Sequence, residues 1–195
     1  ASSDFAAARL AFVSTGRTAM LAMVDSNEGM VLLSRNRPAE AVPLLEQSAA
    51  RAERFNRFDT LAFALGFLGS SHLALLQPKA ALQAFDRFGT RLNGQGDSFV
   101  WCLAQYYYGR ALAANGRFSE ARASFEGVLG SKIERCQGTG MVHAALAKLD
   151  LMEGNVEAAL LNAHKTVEAL DNPDDARERA EAWLVLVRAL HAAGQ

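Results

Sequence analysis

A pattern of small and large residues recurs along this chain at intervals close to 40 positions. Gly29, Gly69 and Gly109 are 40 residues apart, and the pattern continues 38 residues later at Ala147. Each of the four is followed twelve positions later by an alanine. A fixed period indicates a series of similar units, and a single unit of this kind cannot bury its apolar face without a neighbour. The sequence therefore predicts a stack of repeats.

Composition and the placement of helix-starting prolines and turn residues indicate that each unit is a pair of helices. Alanine and leucine are abundant while β-branched residues are scattered, which favours helices over sheets. Pro38 and Pro78 stand where the second helix of a pair would begin, in the first turn that tolerates proline. Asn115-Gly116 and Gly154-Asn155 mark tight turns between paired helices. We predict ten or eleven helices in antiparallel pairs and no sheet, with a short helix over 4–13 that caps the array.

These spacings resemble the tetratricopeptide (TPR) signature, in which W-x2-L-G-x2-Y is followed by A-x3-F. The matching residues include Leu68-Gly69 with Ala81 and Phe85, and Tyr108-Gly109 with Ala121 and Phe125. The resemblance covers about 25–195 and implies an all-α fold, an α-α superhelix or TPR-like solenoid of antiparallel helix pairs. The unit length, about 40 residues instead of about 34, resembles the long repeats of MalT-type bacterial regulators.

The repeats predict a single TPR-like domain over 1–195. Its units span approximately 18–57, 58–97, 98–137 and 138–172, with a half-unit at 173–195 and a capping segment at 1–17. The half-unit holds one helix, whose apolar flank of Trp183, Leu186 and Leu190 has no second helix to cover it. Terminal repeats normally carry a polar face. We therefore expect this end either to self-associate, giving a homodimer through a chain end, or to continue into further sequence.

In the TPR family the first helix of each pair lines a concave groove, so the resemblance implies a set of partner-binding positions. In this sequence they include Met23, Met30, Phe63, Ser70, Leu73, Tyr106, Arg110, Lys148 and Arg188, together with Ser26, Gly66 and Ala144. The first half is apolar, and its flexible methionines suit an adaptable binding surface. The second half places a cation at one equivalent position in three successive units, which favours a carboxylate or phosphate.

Two simpler explanations of these groove residues stay open. The cations could be ordinary solvated charges, and the apolar half could be covered by the N-terminal segment or by a second copy. Some TPR domains hold peptide C-termini with a carboxylate clamp of Lys and Asn side chains. The matching positions in this sequence are Ser26, Met30, Gly66, Ser70, Tyr106 and Arg110, which do not reproduce it. The sequence therefore disfavours that mode of binding.

The charge balance and the scattered histidines exclude several other classes of protein. With 20 basic and 21 acidic residues, the chain lacks the excess charge of a nucleic-acid binder. Its longest apolar runs are too short for a membrane span, and no signal-peptide pattern opens it. The histidines have no metal-ligand spacing with Cys102 or Cys136, so we expect no cofactor and no catalysis. Two cysteines make no disulfide framework, and we expect buried inert thiols in a cytoplasmic protein.

Two functions follow from this reading. The first is a non-catalytic interaction module, or scaffold, that binds a peptide or protein segment of unknown identity in its groove. The alternative is a ligand- or protein-sensing regulatory domain of a bacterial signalling protein or transcription regulator, which the long units favour. An adjoining DNA-binding, cyclase or kinase segment in the full-length gene would favour the alternative.

Overall fold

A computed structural model of the chain describes residues 2–87, 99–131, 140–169 and 176–194. These residues form ten α-helices and one short 3-10 helix, and no strand occurs among them. The chain divides into two compact units, Ala1–Gln95 and Gly96–Gln195. The predicted boundaries near 97, 137 and 172 lie outside the described residues.

Unit 1 is a stack of helices joined by tight turns. Its elements are α1 (Ser2–Ser14), the 3-10 helix Thr18–Met20, α2 (Leu21–Ser34), α3 (Pro38–Arg54), α4 (Phe58–Ala74) and α5 (Pro78–Asp86). Each consecutive pair from α2 to α5 packs together, and α2 also packs against α4. The predicted starts of second helices at Pro38 and Pro78 are confirmed. The predicted N-terminal helix is α1, which packs against α2 and the 3-10 helix.

Unit 2 repeats the same order. Its elements are α6 (Phe99–Ala114), α7 (Phe118–Leu129), α8 (Gly140–Glu153), α9 (Val156–Ala169) and α10 (Ala176–Ala192). Here α6 pairs with α7 and α8 with α9, while α10 packs against both α8 and α9. The first helices of the pairs are therefore α2, α4, α6, α8 and α10, and the second helices are α3, α5, α7 and α9.

Small residues mark the helix crossings, as the repeat pattern predicts. A Cβ built on Gly29 would lie 2.6 Å from Leu45, and one on Gly69 would lie 2.6 Å from Phe85. Both contacts join the first helix of a pair to its second helix, sixteen positions later in the sequence. The fourth pair differs, because Ala147 and Ala163 occupy the same two positions and share one buried cluster.

The turns inside the helix pairs share one backbone geometry. Each contains a residue with a positive φ angle: 57° at Asn36 and Leu76, 76° at Gly116 and 78° at Gly154. The next backbone N–H then donates to a carbonyl in the last turn of the first helix, as from Arg37 to Leu32 at 2.9 Å. Glycine and asparagine tolerate this left-handed conformation, whereas leucine does not. Leu76 is therefore strained, although its side chain is 88% exposed.

The last helix exposes an apolar flank, but not all of the expected one. Trp183 is 56% exposed, as predicted. Leu186 is only 6% exposed, so its predicted exposure is wrong, because α10 lies against α8 and α9 and inserts Leu186 into their common cluster. Leu190 packs partly against the same cluster. The flank consists instead of Trp183, Leu184 and Val187, and self-association through it stays a prediction.

Candidate functional site

In unit 1, one side of the first helices carries large apolar side chains that are not buried. Met23 and Met30 on α2 are 39% and 40% exposed. At equivalent positions of α4, Phe63 and Ser70 are partly exposed. Between them lies Phe67, whose ring centroid is 6.2 Å from that of Phe63 in a stacked arrangement. We call Met23, Met30, Phe63, Phe67 and Ser70 the apolar face.

The position three residues before the small crossing residue is buried in three of the four helix pairs. Ser26 is 2% exposed, and Gly66 and Ala144 are buried as well. The prediction that these three line a groove is therefore wrong, because their side chains are buried between packed helices. On α4 the residue one position later, Phe67, is partly exposed. Sequence reasoning missed Phe67, although its i, i+4 spacing from Phe63 places both on one helix side.

Two predicted groove residues lie at the margin of these surfaces. Leu73, one turn beyond Ser70, is partly buried. Tyr106 on α6 is partly buried too, with its ring 6.4 Å from that of Phe125 on α7. Tyr106 therefore contributes mainly to packing within the pair α6–α7, although one of its faces meets a cation.

In unit 2 the first helices carry three cations at equivalent positions, which we call the basic positions. Arg110 on α6 and Lys148 on α8 are partly exposed, and Arg188 on α10 is exposed. The Arg110 guanidinium lies 5.6 Å from the centre of the Tyr106 ring. A cation over an aromatic face is held in place without losing its charge. The Tyr106 ring therefore holds the guanidinium of Arg110 in a defined position.

The neighbouring Tyr107 stays neutral across the ordinary pH range. Burial raises the pKa of Tyr107 from 10.0 to about 12. Electrostatic repulsion from the Tyr106 phenol adds to the rise, and the positive charge of Arg110 opposes it. Its ring centroid lies 5.2 Å from that of Tyr106 in an edge-on arrangement. Beside Arg110 the phenol can therefore donate or accept a hydrogen bond but carries no compensating negative charge.

The sequence has no match among family models and none among curated proteins. Solved structures do resemble it. One is a kinesin-light-chain-like protein of Podosopora anserina with nearly identical TPR-like repeats, at 19% identity and a TM-score of 0.65 over 90% of this chain and 89% of that one. A second crystal structure of that protein gives 20% identity and a TM-score of 0.63 over 88% and 86%. BtubC (BKLC) of P. vanneervenii gives 16% identity and a TM-score of 0.71 over 96% and 79%.

The chain has a TPR-like repeat fold. The likeness extends over nearly the whole sequence, and the helix pairs and small crossing residues agree with it. The narrower resemblance to MalT-type repeats of bacterial regulators stays a prediction. None of the helices in the described ranges is both long enough and apolar enough to cross a bilayer.

Buried acids tie the helices of this TPR-like fold together, a feature that sequence reasoning missed. Asp25 on α2, fully buried, accepts hydrogen bonds from Arg9 of α1 and from Arg51 of α3, the latter at 2.5 Å. Arg9 also bonds Glu28. The signal available in the sequence was an acid at Glu28, where the other units have Leu68, Tyr108 and Leu146.

A second polar chain runs through unit 2. Asp150, 1% exposed, accepts hydrogen bonds from Arg122 at 2.6 Å and from the amide nitrogen of Asn162 at 2.9 Å. The amide oxygen of Asn162 then faces Nδ1 of His143 at 3.2 Å. Since that oxygen can only accept, the Nδ1 of His143 carries the proton. The chain joins α7, α8 and α9, and its groups satisfy one another.

The cysteine prediction was wrong for Cys102, which is disulfide-bonded. Cys136 lies outside the described residues. The expected reducing compartment rested on unpaired thiols, so that premise fails. The Nδ1 of His72 lies 2.9 Å from the side-chain oxygen of Gln77 in the following turn. No group of three metal-ligating side chains occurs within the described part of the TPR-like fold.

Proposed function

We propose that this chain is a non-catalytic interaction module that binds a segment of another protein on the exposed side of its first helices. The apolar face carries the proposal. Two methionines about 40% exposed stand on α2, and the stacked rings of Phe63 and Phe67 stand at equivalent positions on α4. Exposed apolar surface of this kind is typical of partner-binding sites, and methionine adapts to side chains of different shape.

The basic positions of unit 2 favour acidic side chains or a terminal carboxylate. An ion pair on an open surface contributes only about 0.2–1 kcal/mol, because water and salt screen it. Burying one large apolar side chain contributes about 1.5–3 kcal/mol. The apolar face of unit 1 should therefore bind its segment more tightly than the basic positions of unit 2 bind an acidic one, and the basic positions should mainly raise the association rate.

Selection from a displayed peptide library tests the proposal without a known partner. The parent protein should enrich peptides with aromatic or aliphatic side chains. A Met30→Gln/Phe63→Gln variant should lose at least tenfold in affinity for the enriched peptides. The matched control is Met152→Gln/Leu161→Gln, which removes two side chains of unit 2 that are each 58% exposed. Equal affinity of both variants and the parent would show that binding uses another surface.

The same peptides test the basic positions. An Arg110→Glu/Lys148→Glu variant should weaken binding of acidic peptides by less than the Met30→Gln/Phe63→Gln change and should flatten the dependence of affinity on salt. An unchanged salt dependence would remove the basic positions from the proposal. Thermal melts of all variants show whether each is folded.

A sensing role in a bacterial regulator is the second candidate, favoured by the unit length of about 40 residues. The full-length gene decides it: an adjoining DNA-binding, cyclase or kinase segment supports sensing, and a chain of repeats alone supports a scaffold.

A further inference from the structure

A cleft of about 310 Å³ lies in unit 1 between α1 and the helix pair α2–α3. Its apolar walls come from three helices: Phe5 of α1, Val31 and Leu32 of α2, and Leu44 of α3. All four side chains are only partly buried. The charged residues of its wall are Glu28, Arg35, Arg37 and Glu40. The volume is at the lower end of the range for small-molecule sites.

The wall formed by α1 is fixed by charge. Arg9 of α1 bonds both Asp25 and Glu28 of α2. Glu28, which also lines the cleft, is therefore ion-paired with Arg9. These bonds fix α1 to α2 and so place Phe5 on one side of the cleft.

A second acid–base pair of the cleft belongs to the turn between α2 and α3. Arg37 donates to both carboxylate oxygens of Glu40, with each distance 2.5 Å. Arg117 and Glu120 make the same contact at the equivalent turn of unit 2, at 2.7 and 2.6 Å. The other two turns inside helix pairs have Gln77 and Asn155 in place of the arginine. Because Arg37 bonds Glu40 within its own turn, it is not the residue that would bind a ligand.

Arg35 remains as the one cation of the cleft wall with no carboxylate partner among the described residues. It follows the last residue of α2, and its backbone N–H bonds Val31 and Leu32, which fixes the root of its side chain beside the apolar wall. The equivalent residues of the other three pairs are Leu75, Asn115 and Glu153, so the sequence places a cation at this position in the first pair alone.

We infer that the cleft binds a small monocarboxylate with an apolar body. The carboxylate meets the guanidinium of Arg35, which can bond both its oxygens. The apolar body lies between Phe5, Leu32 and Leu44. This chemistry occurs both in free short-chain or aromatic acids and at the carboxy terminus of a peptide. The site is distinct from the apolar face and independent of the function proposed above.

Titration with hexanoate, hexanamide and N-acetyl-leucyl-leucine, followed by backbone amide shifts in NMR spectra, tests the inference. Hexanoate should shift the amides of α1, α2 and the turn at 35–37, and hexanamide should bind about fivefold more weakly, the ratio expected for one open ion pair. Tighter binding of the dipeptide than of hexanoate assigns the site to peptide termini, and weaker binding assigns it to free acids.

Three variants complete the test. Arg35→Gln should abolish the preference for hexanoate over hexanamide, while the control Arg54→Gln, on the exposed end of α3, should keep it. Leu44→Gln should weaken both ligands equally. Hexanoate should bind the Met30→Gln/Phe63→Gln variant normally, which separates this site from the apolar face. Any of three results overturns the inference: equal binding of acid and amide to the parent, a retained preference in Arg35→Gln, or no hexanoate-induced shift up to about 10 mM, tenfold above a millimolar dissociation constant.

Discussion

The ring of Phe125 lies directly against the α-carbon of Gly109. A Cβ built at Gly109 would lie 2.6 Å from Cε1 of Phe125 and 2.9 Å from its Cζ, closer than real carbon atoms approach. Gly109 and Phe125 are both buried. The contact sets how closely α6 and α7 cross, and the hydrogen atom of glycine is what allows it.

The Gly109→Ala variant should destabilise the protein by about 1–3 kcal/mol, because the ring of Phe125 must move and the crossing is overpacked. Gly127→Ala is the matched control on an exposed position of α7, where the new Cβ would meet Trp101 at an ordinary 3.5 Å. That change should be neutral or stabilise by about 0.5–1 kcal/mol through helix propensity. Urea denaturation measures both, and equal midpoints would show that the crossing is not tight.

Removal of Arg122 should be among the most damaging single changes in unit 2. Among the described residues it leaves the buried carboxylate of Asp150 with Asn162 as its one hydrogen-bond partner. An uncompensated buried charge costs about 3 kcal/mol or more. Glu153→Gln removes the partly exposed partner of the same arginine and should cost less than about 1 kcal/mol.

The double variant Arg122→Met/Asp150→Leu checks the cause of that loss. Because both charges are gone, it should recover most of the stability lost in Arg122→Met. A double variant as unstable as the single one would mean that packing, and not the ion pair, explains the effect.

Tyr107 makes stability depend on alkaline pH. Its pKa is raised to about 12 in the folded protein by burial, and an unfolded tyrosine titrates near 10. Between these values the unfolded chain has lost the proton and the folded chain still holds it, so the free energy of unfolding falls as pH rises, by at most about 1.4 kcal/mol per pH unit. Tyr107→Phe should flatten this slope, and the rise in absorbance at 295 nm near pH 12 should become smaller by one phenol.

Leu76 offers a stabilising change. Its φ angle of 57° strains a leucine, while the equivalent Asn36 has the same angle without that penalty. Leu76→Asn should therefore raise stability by about 0.5–1 kcal/mol, and it removes an exposed apolar side chain at the same time. The reciprocal Asn36→Leu should lower stability by a similar amount. Thermal unfolding of the pair checks the argument, which fails if the two shifts have the same sign.

The fold could be predicted because its constraint is local and repeated. Gly69 and Gly109 stand where a side chain would collide with Phe85 and Phe125, so the small residue and its large neighbour recur at a fixed spacing that is legible in one sequence. Pro38 marks a helix start for an equally local reason. The helix pairs could therefore be predicted from the spacing within one unit, without the positions of the neighbouring units.

The candidate site was predicted less well, because exposure depends on neighbouring helices. Family positions placed Ser26 in a groove, whereas packing buries it and leaves Phe67 partly exposed. The bond from Arg9 to Asp25 spans sixteen residues and depends on how α1 docks, which no periodicity encodes. The disulfide at Cys102 was missed because the prediction used the number of cysteines, and the sequence does not show which residues the fold brings close to Cys102.

The paired positions at the helix crossings also limit how this chain can vary. Glycine faces leucine or phenylalanine in three pairs, and Ala147 shares its cluster with Ala163 in the fourth. In each pair the side chains at these two positions must together fill the space between the two helices. Neither residue can therefore change size alone. A first helix transplanted from the fourth pair would set its alanine against Phe125 in the third. Duplication, recombination or engineered shuffling of this array should therefore succeed when the cut falls between helix pairs and fail when it falls within one.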